Sequence, residues 1–169
     1  MSKFPKGSAL PTVEIANKGE ILLEDGKISY GSWTSAALPG KVRTIHHLAG
    51  RSSAKEINEA LVEALKQADL PKETYQTTTI VNVNDAIFGT AGIVTMMVEG
   101  GKKEFPWSSI VVDAKGIAQK TWGLDKESSA IIVLDANGNV LFSKDGALSD
   151  AEVKSVLSLI EAELASATA

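Results

Sequence analysis

Apolar residues recur along the 169-residue chain in short runs separated by turn residues, and the period of each run predicts its element. Val42-Arg43-Thr44-Ile45-His46-His47-Leu48 reads as a strand, fed by the turn Leu38-Pro39-Gly40-Lys41. After the loop Ala49–Ser53, the residues Ile57, Ala60, Leu61, Ala64, Leu65 and Ala68 fall at i, i+3, i+4, i+7, i+8 and i+11, the stripe of an amphipathic helix that Leu70-Pro71 ends. Ser53 at the N-cap with Glu56 three residues on predicts a capping box. Tyr75 to Val83, rich in Thr and Val, predicts another strand.

Upstream, Val13-Glu14-Ile15 alternates like an edge strand, and Ile21–Leu23, Asp25-Gly26 and Ile28–Tyr30 suggest a small hairpin. Residues 1–11, with Pro5 and Pro11, are expected to be extended and loosely held. Downstream, glycines punctuate residues 84–105, leaving room for a short helix around Ile93–Val98. Ser109–Val112 is a short strand, and residues 116–122 suit a short helix closed by Gly123. Ala130–Leu134 is apolar throughout, as a strand buried on both faces should be. The turn Asp135–Gly138 folds it into a hairpin with Val140–Ser143. A last helix starts at a second capping box, Ser149 with Glu152, and carries Val153, Val156, Leu157, Ile160 and Leu164; residues 165–169 should fray. The order predicts one α/β domain over residues 1–169, with a mixed central β-sheet flanked by helices.

Composition narrows the chemistry. Hydrophobic residues at 44% and charged residues at 22% suit a chain with a buried core. No apolar run approaches the roughly 18–20 residues of a membrane span. A net charge of −4 argues against nucleic acid as a partner, which needs a basic face. There is no cysteine, so thiol–disulfide exchange, peroxide reduction, zinc fingers and iron–sulfur clusters are all ruled out. Neither a metal nor a cofactor is expected. His46 and His47, the two histidines, point to opposite faces of a regular strand and so cannot share a metal. Asp113 and Asp135 begin Asp-x-x-Gly turns, where a carboxylate bonds the following amides. Residues 1–7 have no apolar signal-peptide core, which fits either a cytosolic protein or a mature chain with an added Met1.

Phe105-Pro106-Trp107, Asp113-x-x-Gly116, Trp122-Gly123-Leu124, Ile131–Asp135, Asn137-Gly138 and Asp145-Gly146 resemble, in order and spacing, the thioredoxin-like domains of the peroxiredoxin and TlpA type. Within that superfamily the chain is similar to the YtfJ family of Gram-negative bacteria. The carrying segments are residues 46–56, from His46 to Glu56, residues 75–82, from Tyr75 to Asn82, and Glu127-Ser128-Ser129-Ala130. The resemblance covers residues 8–164. It implies a thioredoxin-like fold and a periplasmic protein with a cleaved signal peptide, and it brings no activity with it. It puts Gly50 and Ser53 where the superfamily has the two cysteines of Cys-x-x-Cys, and Ser129 near the position of its cis-proline.

Two functions follow as expectations. One is a binding module at the former redox end of the fold, taking a small anionic ligand or a protein partner. Its residues would be Gly50, Arg51, Ser52 and Ser53 at the helix start, with His46, His47, Trp107, Ser128 and Ser129 around them. There Arg51 either grips an anion or pairs with a surface acid. The alternative is a non-redox, hydrolase-like enzyme pairing Ser52 or Ser53 with His46 or His47. No nucleophile elbow supports it, and no residue is assigned as catalytic.

Overall fold

The computed structural model describes residues 4–167. At its centre lie the two strands read most directly from the sequence, β3 (Val42–Ala49) and β4 (Tyr75–Asn82), paired in parallel with Val42 opposite Tyr75 and Ala49 opposite Asn82. On one flank β4 pairs in parallel with β5 (Ser109–Asp113), which pairs antiparallel with β1 (Glu14–Glu24). The edge is β2 (Lys27–Thr34), the hairpin partner of β1. On the other flank come β6 (Ser129–Leu134) and β7 (Val140–Asp145), both antiparallel to their neighbours. The sheet order is β2-β1-β5-β4-β3-β6-β7, a mixed sheet as expected.

Five helices join the strands: α1 (Ser52–Ile57), α2 (Glu59–Ala68), α3 (Ala91–Glu104), α4 (Ile117–Trp122) and α5 (Asp150–Ala167). Leu61 and Leu65 of α2 and Val156, Ile160 and Leu164 of α5 cover Val42, Ile131 and Val133 on one face of the sheet. The opposite face carries Ile45, Ile80, Val111 and Ile132, packed under Trp33, Trp122 and Leu124. A third cluster, Leu48, Val81, Val83 and Val112 with Val94 and Val98 of α3, closes the C-terminal ends of the parallel strands.

Several expectations change. The predicted hairpin forms between β1 and β2, but its first arm merges with the predicted edge strand into β1, which lies inside the sheet with a bulge between Ile15 and Glu20. At that bulge Gly19 has φ +88, and a Cβ there would lie 2.2 Å from the carbonyl oxygen of Gly31, so only glycine fits. The N-terminal segment is not loose from residue 4 onward. Gly7 N donates to Val140 O at 2.7 Å, Val140 N to Ser8 O at 2.8 Å, and Leu10 is buried. Residues 1–3 lie outside the described residues. The helix after β3 is two helices, broken at Asn58 (φ −118, ψ 26). The expected short helix around residues 93–98 runs through Gly100-Gly101 to Glu104. At the C-terminus α5 continues to Ala167, so the expected fraying does not begin at 165, and residues 168–169 lie outside the described residues.

The second capping box forms as predicted: Ser149 N donates to Glu152 Oε1 at 2.9 Å and Glu152 N to Ser149 Oγ at 3.2 Å. The first does not. The N-cap of α1 is Arg51, with no side-chain cap, and Ser53 is the second helical residue.

Candidate functional site

The loop after β3 is held down on three sides. Gly50 N donates to Asn82 O at 2.9 Å, and Ala49 N donates to Ser128 O at 3.0 Å. Gly50 itself is buried. A Cβ at that position would lie 3.2 Å from Asn82 O, 3.3 Å from Val83 Cα and 3.3 Å from Val94 Cγ1, so backbone and α3 have closed over it.

Arg51 is fully engaged. Its Nε donates to Asp85 O at 3.0 Å, its Nη2 meets Asp85 Oδ1 at 3.3 Å, and its Nη1 meets Glu127 Oε1 at 2.7 Å. Asp85 Oδ2 also accepts from Glu127 N at 2.5 Å. Of the two readings of Arg51, pairing with acids is therefore what the fold contains. Asp85 of this pair of acids is mostly buried with the guanidinium, while Glu127 is exposed. Ser52 and Ser53 are exposed on α1.

Beneath the loop, the two histidines face opposite sides of β3, as the strand period requires. His46 Nε2 lies 3.0 Å from Ser129 Oγ, and Ser129 Oγ accepts from Asn58 Nδ2 at 2.9 Å. A hydroxyl oxygen can accept twice, so the His46 tautomer sets which of the pair donates. Burial, with His47 adding to it, pushes the His46 pKa down to about 4. Burial does the same to His47, also to about 4, against the opposing pull of Asp113 and Asp85. His47 Nε2 is buried with no hydrogen-bond partner among the described residues.

The structure thus brings together Gly50, Arg51, Ser128 and Ser129, with His46 tied to Ser129 below them. It does not bring Ser52 or Ser53 to a histidine: neither hydroxyl is hydrogen-bonded to His46 or His47, and both rings are buried. Among the described residues the one serine–histidine hydrogen bond, Ser129 with His46, has its serine only 1% exposed, out of reach of a substrate. The hydrolase-like alternative has no geometry to stand on.

Trp107 is misplaced by the sequence reading. Phe105-Pro106-Trp107 precedes β5, whereas residues 49–53 follow β3, and β3, β4 and β5 run parallel. Trp107 therefore sits at the opposite end of the sheet from Arg51. It is 58% exposed, as a recognition residue would be, but Lys72, ahead of β4, lies over its ring at 4.1 Å.

Sequence reasoning missed three contributors. Asp85 and Glu127 clamp Arg51. Asn58 breaks the helix and joins it to the sheet. Third is an apolar crown beside the clamp. Phe88 is fully exposed, and Ile87, Ile93, Met96 and Met97 are each more than half exposed. Helix α3, from which three of these come, buries no residue completely. It is fixed by partly buried Val94 and Val98 and by a hydrogen bond from the Tyr30 hydroxyl to Glu99. Burial and the Glu99 carboxylate both raise the Tyr30 pKa. The signal for the crown was in the sequence: Ile87-Phe88 and Met96-Met97 are large apolar pairs with no matching helical stripe.

Fold and site together define a thioredoxin-like domain from which the thiol chemistry is gone. Solved structures bear out the fold. A thiol-disulfide isomerase from Corynebacterium glutamicum superposes with a TM-score of 0.58 at 17% identity, covering 89% of this chain and 95% of that one. AhpC from Mycobacterium bovis gives 0.57 at 14%, covering 96% and 93%. At such identities the likeness is one of fold alone. The chain belongs to the family described as bacterial protein of unknown function (YtfJ_HI0045), whose model matches residues 4–163. It is 48% identical over 159 residues to the uncharacterized protein YtfJ of Escherichia coli (strain K12), covering 94% of this chain and 86% of that relative.

Proposed function

We propose that this chain is a single-domain, redox-inactive binding module of the periplasm, whose former redox end docks a protein partner. The family resemblance supports the compartment, and the lack of cysteine supports redox inactivity. The observation that carries the docking role is the crown of Phe88, Ile87, Ile93, Met96 and Met97 beside the Arg51 clamp. Large exposed apolar side chains grouped on one helix and the turn before it mark an interaction site, and methionine adapts its shape to a partner. Arg51, already paired with two carboxylates, favours a protein segment over a small anion as the occupant. In this reading Gly50–Ser53 and Ser128-Ser129 form the rigid floor, and His46 and His47 hold that floor from below.

Capture from a periplasmic extract tests it, with immobilised wild-type chain compared with Phe88→Asp. The wild type should retain a protein that the variant loses by about tenfold or more, the equivalent of one buried anchor. No retained protein, or equal retention by the variant, refutes the reading.

A further inference from the structure

At the other end of the same sheet face the helical layer has a gap. β4 is the central strand of seven, and a central parallel strand is ordinarily apolar on both faces. Here Tyr75 and Val81 pack under helices, but Thr77 and Thr79 between them are only half-buried. Together with Thr44 and His46 of β3 they floor a cavity of about 690 Å³ between α2 and the loop 105–108. The Tyr75 hydroxyl holds the floor in place, donating to Thr44 Oγ1 at 2.7 Å and lying 2.8 Å from Thr77 Oγ1.

The walls are apolar. Leu61 and Leu65 form one side; Phe105 and Trp107, edge to face at 5.5 Å between centroids, form the other. The mouth is cationic. Lys41, Lys66 and Lys72 line it against a single acid, Asp69, in a chain whose net charge is −4. Lys66 lies over the Phe105 ring at 5.8 Å and Lys72 over the Trp107 ring at 4.1 Å from the centroids, so the ammonium groups lie directly against the aromatic wall. Apolar walls, a few convergent hydroxyls and a volume in the range of small-molecule sites are what a ligand pocket requires.

We propose that this groove binds a small aromatic anion, with its ring between Phe105–Trp107 and Leu61–Leu65, a polar substituent on Thr77 and Thr79, and its acid group at Lys66 and Lys72. The site lies at the opposite end of the sheet from the docking crown, and either can exist without the other.

The probe is 8-anilinonaphthalene-1-sulfonate, an aromatic sulfonate whose emission rises on transfer to an apolar site, titrated into the full chain at pH 7.5. Saturable one-to-one binding is expected, weakened about tenfold or more in Lys66→Glu/Lys72→Glu and in Trp107→Ala. The uncharged N-phenyl-1-naphthylamine should bind more weakly than the sulfonate. Phe88→Asp should bind the sulfonate as the wild type does, which separates the groove from the crown. Four results overturn the proposal: no saturation, an affinity unchanged by the lysine pair, equal affinity for the neutral probe, or loss of binding in Phe88→Asp. A groove closed by a second copy of the chain would give no saturation and a concentration-dependent dimer in sedimentation, which also overturns it.

Discussion

Replacing Asn58 by alanine tests whether the break between α1 and α2 is a structural joint or an accident of helix propensity. Asn58 is 2% exposed. Its Nδ2 donates to Ser129 Oγ at 2.9 Å and to Gly146 O at 3.2 Å, and its Oδ1 accepts from Leu148 N at 3.0 Å. One side chain therefore ties the helix pair to β6 and to the segment between β7 and α5. In Asn58→Ala all three bonds go. Ser129 Oγ keeps His46, but Gly146 O and Leu148 N lose their side-chain partner. Three net bonds at about 1 kcal/mol each, discounted because two lie at partly wetted positions, give a loss of about 2–3 kcal/mol. For a chain of this size that corresponds to a fall in melting temperature of roughly 5–10 °C. Urea unfolding followed by emission of the buried Trp33 and Trp122 measures it, and the m-value should stay constant. Asn137→Ala, in the β6–β7 turn, serves as the control and should stay within about 0.5 kcal/mol of wild type. A loss below about 1 kcal/mol in Asn58→Ala would refute the account of the joint.

Two further outcomes are expected. His46 and His47 are neutral in the fold, with pKa values near 4 against 6.5 for a free side chain, so the unfolded chain binds more protons between those limits. Their contribution is complete above about pH 6.5 and is lost as pH falls toward 4, by up to about 3 kcal/mol for each histidine; urea midpoints at pH 7.5 and 4.5 should show the fall, and His47→Met should remove about half of it. The second concerns Gly50→Cys/Ser53→Cys, which should neither reduce insulin disulfides nor keep the wild-type melting temperature. A side chain at position 50 meets backbone at 3.2 Å, an overpacking worth about 1–3 kcal/mol, and turnover at wild-type stability would contradict that packing.

Most strands were legible because apolar runs bounded by turn residues leave few alternatives, as Ala130–Leu134 and the turn after it show. Asp113 and Asp135 were legible for a local reason: their carboxylates accept from amides two to five residues on. Ser53 misled because the same local pattern was overruled at long range: Arg51, held by Asp85 and Glu127, is the N-cap, two residues earlier than predicted. Asn58 was invisible for the same reason, since its partners lie 71 to 90 residues away. Helix α3 was underestimated because Gly100-Gly101 reads as a stop and no buried stripe argues otherwise. The position of Trp107, by contrast, was recoverable: a residue preceding one parallel strand cannot neighbour a loop that follows another. Thr77 and Thr79 looked like strand formers and nothing more, since only the gap between helices makes them a floor.

The packing around Gly50 also bears on where a change at this position would be felt. A Cβ there would lie 3.2 Å from the carbonyl oxygen of Asn82, 3.3 Å from the α-carbon of Val83 and 3.3 Å from a methyl of Val94, so those neighbours must give by a few tenths of an ångström to admit it. The adjustment falls on the end of β4, the turn after it and the flank of α3. A substitution in the loop is therefore transmitted to the seating of α3, and so to the apolar surface that this helix presents.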